Sequence, residues 1–133
     1  MDDFLQVQDD LINRVRQNIP SGYSLRQFKY PNAPFEKPKN KPWLRFTAIP
    51  EPKSNVEAGG EYKRTYGIFV IDCFYPVDTG NKTQITDLKY LQALFENQTI
   101  GFTKCQEAYP QLIGESGDWY NMQLNVNFYF EGN

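Results

Sequence analysis

The chain has 133 residues, a size at which one folded domain around one hydrophobic core is the expected arrangement. Its 14 basic and 16 acidic residues give a formal charge of −2, which disfavours nucleic acid as the main ligand because phosphate binding needs an excess of Lys and Arg. The sequence contains no histidine, so histidine-based nucleophile pairs, general bases and metal sites are excluded. Aromatic residues make up 16% of the chain, a share that suits strands and protein interfaces.

No segment has the roughly 20 apolar residues that a membrane-spanning helix needs. The chain starts with Met1, Asp2 and Asp3 instead of a basic and apolar signal segment. We therefore expect a soluble protein, made in a cytoplasm, with no membrane partner. Cys73 and Cys105 are far apart, each within an apolar stretch, which predicts two buried free thiols with a disulfide as the alternative.

The first third of the chain predicts one helix and then an irregular segment. Phe4, Val7, Leu11 and Val15 recur at helical spacing, so residues 2–18 are expected to form an amphipathic helix that stops near Pro20. Residues 22–42 are rich in proline and are expected to cross the domain as an ordered segment, with a possible strand at 24–30. Lys37, Lys39 and Lys41 are interpreted as a solvated loop within it.

The middle of the chain predicts a hairpin and a second helix. Residues 43–49 alternate as a half-buried strand does, and residues 61–75 give the longest strand pattern, so the two should form a long hairpin with a mobile tip at 50–60. After a connector at 76–81, Leu88, Leu91 and Phe95 indicate a helix of about four turns whose N-cap is expected to be Thr83.

Two more strands are expected at 99–107 and 118–130, joined by a loop that contains Pro110, Gly114 and Gly117. In the last strand one set of alternate residues is apolar and the other is polar, with Asn121, Gln123, Asn125 and Asn127 predicted to face water. The succession of elements predicts an α+β class, as a two-layer domain with a mainly antiparallel sheet and two helices packed on one face. A single domain over residues 1–133 is expected.

The sequence offers little chemistry. The nearest carboxylate pairs are Asp2 with Asp3, Asp9 with Asp10, and Glu115 near Asp118, but neighbours in sequence point apart on a helix or strand. Two separate cysteines cannot supply a four-ligand zinc site, and a glycine-rich phosphate loop is missing. We therefore predict no enzyme, no catalytic residue, no cofactor and no metal site. Asp72, in the middle of a strand, is interpreted as facing solvent or as pairing across a subunit border.

Aromatic and arginine side chains on strand faces are candidates for protein contacts. Trp43 shares a strand face with Arg45, and Trp119 and Tyr129 lie on the polar face of the last strand. Tryptophan, tyrosine and arginine are the residues that most often anchor protein interfaces. An alternative of equal weight is that these rings pack beneath the proline-rich segment.

Several segments, taken in order, resemble the tail terminator proteins of long-tailed bacteriophages, the minor tail protein U class. They are Pro34-Phe35, Pro42-Trp43-Leu44-Arg45, the run from Arg64 to Ile71, Phe74-Tyr75-Pro76 with Thr79-Gly80, Leu94-Phe95, and the run from Asp118 to Val126. The resemblance depends on the succession of these segments along nearly the whole chain.

The resemblance implies a structural subunit that forms a ring, thought of as six-membered, on the completed tail tube. Such a ring stops tube polymerisation and presents a surface for head joining, so the implied partners are further copies of the chain, the tail tube protein and a head completion or connector protein. Its implied location is the head-proximal end of the virion tail, after assembly in the host bacterial cytoplasm. The contact residues that we select from the pattern are Trp43, Arg45, Lys53, Glu57, Arg64, Trp119 and Tyr129.

Two other functions stay open at this point. Another neck or head-tail connector component would have a similar sequence pattern. A small non-enzymatic binding module, for nucleic acid or a host protein, would act as a monomer or a fixed dimer, although the acidic balance argues against sequence-specific binding to nucleic acid.

Overall fold

The computed structural model describes residues 2–51, 54–55 and 63–132. Within these residues there are two α-helices, α1 (Asp2–Arg16) and α2 (Lys82–Phe95). The strands described are β1 (Phe28–Lys29), β2 (Trp43–Pro50), β3 (Ser54–Asn55), β4 (Lys63–Pro76), β5 (Thr99–Ile100), β6 (Thr103–Ser116) and β7 (Trp119–Gly132). The α+β class predicted from the sequence is confirmed.

All described strands belong to one sheet in the order β1-β2-β4-β7-β6-β5, and β3 pairs with β4 beside this path. Every pairing is antiparallel except that of β1 with β2. The predicted hairpin is present as an unbroken β2–β4 register from Trp43↔Phe74 to Pro50↔Gly67. The predicted mainly antiparallel sheet is therefore correct, whereas most of the predicted hairpin tip lies outside the described residues.

Both helices and one set of alternate strand residues share a single apolar cluster. Alternation explains this, because every second side chain of a strand points to the same face of the sheet. Gln84 of α2 is completely buried and its Nε2 donates to the Cys73 oxygen at 2.9 Å and the Tyr120 oxygen at 3.0 Å, which fixes α2 on β4 and β7. The members with the largest buried side chains are Val7, Leu11, Val15, Leu44, Phe46, Phe69, Ile71, Leu91, Phe95, Leu124 and Phe128.

The predicted loop between the last two strands is wrong, because β6 continues to Ser116 and turns tightly into β7. Pro110 is tolerated there because β6 is an edge strand beyond its short pairing with β5. No strand on that side needs a hydrogen bond from the N–H group that proline lacks. Two register shifts in the β6–β7 ladder, between Cys105 and Ala108 and between Leu112 and Gly114, absorb the irregular sequence. Proline and glycine therefore marked an irregular edge strand instead of a loop.

Two further predictions need correction. Helix α2 begins at Lys82 with Asn81 at its N-cap, so Thr83 lies inside the helix and does not cap it. The predicted strand at 24–30 is reduced to β1, which follows a single 3-10 turn over Leu25–Gln27, because Gln27 turns inward and donates from Nε2 to the Pro42 oxygen. Among the described residues, neither helix is long and apolar enough to cross a membrane.

Candidate functional site

The sheet face that alternates with the core residues is the best candidate for a functional surface, and we call it the outer face. It carries Arg45 of β2, Asp72 of β4 and Gln123 of β7 in one row of the sheet, because Asp72 pairs with both of the others in register. The next row holds Trp43, Phe74 and Asn121. Two clusters on this face contain four of the residues selected from the sequence, and a fifth, Arg45, lies beside one of them.

The Trp119 cluster consists of Trp43, Phe74 and Trp119. The ring of Trp43 stacks on Phe74 with centroids 4.1 Å apart, and Trp119 meets Trp43 edge-on at 5.8 Å. Phe35 from the proline-rich segment lies 5.1 Å from Trp43, and Lys37 lies over the same ring. Trp43 is only 3% exposed, so the alternative in which this ring packs beneath the proline-rich segment is correct for Trp43, while Trp119 stays half-buried.

Asp72 lies beside this cluster as a buried carboxylate with four hydrogen bonds. Arg45 donates to its Oδ2 from Nε at 3.1 Å and Nη2 at 3.0 Å. The side-chain amides of Asn121 and Gln123 donate to its Oδ1 at 3.2 and 2.8 Å. With 2% exposure and partners in its own chain, Asp72 neither faces solvent nor needs a neighbouring subunit, so its interpretation from the sequence was wrong.

The polar face of β7 is also less exposed to solvent than predicted. Asn121 and Asn125 are 6% and 7% exposed, because Asp72 and Gln111 accept their side-chain N–H groups from the neighbouring strands. The sequence predicts that these polar alternate residues are solvated, but hydrogen bonds between strands satisfy the side-chain N–H groups of both asparagines, while the buried Asn121 Oδ1 has no partner among the described residues. The described outer face is thus a preformed polar and aromatic surface.

The Arg64 cluster lies at the other end of β4 and consists of Arg64, Tyr66, Tyr129 and Glu131. Arg64 donates to Glu131 at 2.9 Å and to the Tyr66 hydroxyl at 3.3 Å, and its guanidinium lies 4.4 Å from the centre of the Tyr129 ring. The hydrogen bond with Tyr66 raises the pKa of Arg64 above its usual value, so this group remains a cation. Both partners of the ion pair are partly exposed, which leaves them accessible to another protein.

The residues selected from the sequence fall into two groups. Trp43, Arg45 and Trp119 are part of or beside the Trp119 cluster, and Arg64 and Tyr129 are part of the Arg64 cluster. Lys53 and Glu57 lie outside the described residues. Sequence reasoning missed Phe74 and Gln123, although Phe74 alternates with core residues of β4 and Gln123 lies among the amides of β7.

A second polar cluster is buried between β4 and α2. The hydroxyl of Tyr75 donates to Asp87 Oδ2, and the hydroxyl of Tyr23 lies 3.6 Å from the Cys73 sulfur. Burial raises the pKa of Asp87 above its ordinary value and raises that of the Cys73 thiol to about 12. The thiol is therefore protonated and unreactive at neutral pH, which is the behaviour of a structural cysteine.

Both cysteines are free and buried, as predicted from the sequence. Burial raises the pKa of Cys105 to about 12 as well. Among the described residues there is no group of three or more Cys, Asp or Glu side chains that could hold a metal ion. The outer face presents stacked aromatic rings and paired charges.

One family model, described as phage tail terminator protein, matches residues 8–122 of the chain. The chain belongs to this family. The resemblance read from the sequence is thereby confirmed, and the phage tail terminator family is a family of structural tail proteins and not of enzymes. The chain is accordingly a structural component of a phage tail.

Solved structures with the same fold extend over nearly the whole terminator chain. One is 16% identical, covers 94% of this chain and 96% of its own, and has a TM-score of 0.64. Another, from a virion of a native gene transfer agent particle, is 13% identical, covers 94% of each chain and has a TM-score of 0.59. At these identities the likeness concerns the fold, and no curated protein matches the chain.

Proposed function

We propose that this protein is the terminator of a phage tail, which forms a closed ring, of six copies by the resemblance, on the completed tube. The ring stops tube polymerisation, and its exposed side provides the interface for head joining. The proposal depends chiefly on the family match over residues 8–122. The related chain from a gene transfer agent virion supports a place in a particle of the same kind.

In this proposal residues 1–133 form one two-layer domain, with both helices on one face of the sheet. That arrangement leaves the outer face for other virion proteins. The partners are further copies of the chain, the tail tube protein and a head completion or connector protein, and no membrane, sequence-specific nucleic acid or cofactor is involved. Assembly takes place in the host bacterial cytoplasm, and the protein stays at the head-proximal end of the tail.

We further propose that the two outer-face clusters make contacts within the virion. Arg45 has 41% of its side chain exposed and Arg64 has 30%, so each arginine keeps donor capacity beyond its internal carboxylate. Half-buried Trp119 and Tyr129 lie beside them as rigid aromatic anchors. Lys53 and Glu57 are proposed contacts on the basis of the sequence alone.

The direct test is the growth of tail tubes in vitro. Tube protein is allowed to polymerise with and without the terminator, and tube lengths are measured by negative-stain microscopy. A terminator arrests growth at substoichiometric amounts, because each tube end needs one ring. Tubes that grow to the same length with and without the protein would overturn the proposal and favour another neck component.

The proposed role of the Arg64 cluster can be separated from its role in the fold. Arg64→Glu breaks the internal ion pair, and Arg64→Glu with Glu131→Arg restores it with the charges exchanged. If Arg64 contacts another virion protein, the exchanged pair recovers thermal stability but not tube arrest. Recovery of arrest by the exchanged pair would show that Arg64 acts only within its own chain.

A further inference from the structure

The two ends of the sheet carry surfaces of opposite character. At the β1 end, residues between 24 and 41 line a groove of about 700 Å³, and this lining contains four basic residues and one acidic residue, Glu36. At the β6 end, residues 105–118 contain three acidic residues and no basic one. The chain as a whole has a formal charge of only −2, so these two segments of opposite charge contrast with a nearly balanced total.

The acidic end also exposes apolar side chains. Leu112 is 60% exposed, Ile113 is 50% exposed and Tyr109 is 41% exposed, all on the part of β6 beyond its pairing with β5. Exposed apolar residues gathered on one strand favour a contact that buries them. Pro110 and the two register shifts make this edge a poor template for strand pairing, so the contact should be made by side chains.

The groove carries basic side chains and exposed apolar surface. Leu25, which is 45% exposed, and half-buried Phe35 supply apolar surface, and Lys37, Lys39 and Lys41 lie along the same lining. The two ion pairs of the described residues are Arg45–Asp72 and Arg64–Glu131, and neither uses these lysines or the carboxylates of β6. The groove and the β6 edge are therefore complementary in both charge and apolar character.

We propose that β6 of one copy, from Glu107 to Ser116, docks in the groove lined by residues between 24 and 41 of the next copy. The two surfaces differ, so the contact is head-to-tail, and repeating it produces a ring when the rotation closes. This inference depends on the proposed function for the ring itself. The inference adds the identity of the two subunit surfaces that contact each other.

Charge reversal tests the contact. Lys39→Glu/Lys41→Glu reverses the groove, Glu107→Lys/Glu115→Lys reverses the strand, and Lys82→Glu/Lys89→Glu on exposed positions of α2 is a control with the same charge change as the groove variant. We expect each reversal to abolish rings on tail tubes while the control forms them. Combining both reversals should restore rings, because attraction returns with the signs exchanged. Rings formed by either single reversal would overturn the proposal.

Mixing the two reversed proteins tests the head-to-tail geometry. The groove variant keeps an intact strand and the strand variant keeps an intact groove, and their two reversed surfaces also attract each other. The mixture should therefore associate by mass photometry and form rings of alternating variants on tail tubes, whereas neither variant does so alone. Circular dichroism spectra that match the wild type exclude misfolding as the cause. A mixture that stays monomeric although each variant is folded would contradict the head-to-tail contact.

Cross-linking detects the contact between the groove and β6 whether or not a ring closes. A mixture of Lys39→Cys and Glu107→Cys proteins, treated with a short bismaleimide, should give a covalent dimer, whereas Lys82→Cys with Glu107→Cys should not. Cross-linking without rings on tubes would leave the contact in place and overturn the proposed ring. Rings without cross-linking, or cross-linking of Lys39→Cys to the tube protein instead, would overturn the contact and leave the ring in place.

Discussion

A single residue, Asp72, shows how the sheet stabilises a charge on its outer face. Its carboxylate is buried and takes all its hydrogen bonds from Arg45, Asn121 and Gln123. A buried charge is tolerated only when it is paired and hydrogen-bonded. The arrangement holds β2, β4 and β7 together at the level of the Trp119 cluster.

We expect Arg45→Ala to lower the free energy of unfolding by about 2 kcal/mol, because a buried carboxylate loses a charged hydrogen-bond partner. Arg45→Lys should lose less, since it keeps the charge but not the planar fork. Urea unfolding followed by tryptophan fluorescence measures both. An alanine variant as stable as the wild type would show that the two amides suffice for Asp72.

Asp87 gives a prediction about pH. Burial raises its pKa in the folded protein above the ordinary value of 3.8, so the contribution of this group to folding is most favourable at low pH and is lost as the pH rises through the raised pKa. Asp87→Asn removes this pH-dependent loss of stability, because asparagine does not titrate, and its side-chain oxygen can still accept a hydrogen bond from the Tyr75 hydroxyl. The stability of the variant relative to the wild type should therefore increase between about pH 4 and pH 7.

Urea unfolding at several pH values measures this difference. Asp78→Asn is the matched control, because Asp78 is exposed in the turn before α2. The control should show no comparable trend. A stability difference for Asp87→Asn that stays constant over the same pH range would contradict the assignment.

At the scale of elements, β2, β4 and β7 are packed closely enough that one glycine is required. A Cβ at Gly67 would lie 2.5 Å from Phe128 Cζ and 2.8 Å from the Ile49 oxygen, so the Phe128 ring covers the glycine across the strands. We expect Gly67→Ala to cost about 2 kcal/mol through overpacking. Adding Phe128→Leu should reduce the cost of the alanine, and thermal unfolding of the four proteins in the cycle measures that coupling.

The regular elements could be predicted from the sequence because their patterns are local. Val7, Leu11 and Val15 indicated α1, and the apolar alternation of β7 indicated which of its residues enter the core. The extent of β6 could not be predicted, because tolerance of Pro110 depends on an edge position that only the sheet order defines. The N-cap of α2 is a similar case, decided by backbone geometry at Asn81.

The candidate site was predictable only in part for the same reason. Trp119 and Arg45 could be selected by residue type, but the burial of Trp43 follows from Phe74 beneath it and Phe35 beside it, which are distant in sequence. The partners of Asp72 likewise come from two other strands. Pairing between strands that are distant in sequence buries polar residues and joins them in hydrogen bonds, although their sequence pattern indicates exposure to solvent.

At the scale of the whole molecule, the separation of charge between residues 24–41 and 105–118 predicts that self-association depends on salt. Attraction between exposed charges is screened within about 8 Å at physiological ionic strength and within about 3 Å at 1 M salt. We expect association to weaken as the salt concentration rises, as measured by light scattering. Association that strengthens with salt would indicate an interface dominated by apolar burial instead.

The central claim is that this subunit closes a ring on the end of a finished tail tube. The measurement that tests it most directly is microscopy of purified tubes after incubation with the protein, with the caps counted at each end. We predict one closed ring at one end of each tube and tubes that no longer elongate when tube protein is added. Tube ends that stay bare and continue to grow, beside a protein that remains monomeric at every concentration, would contradict the account.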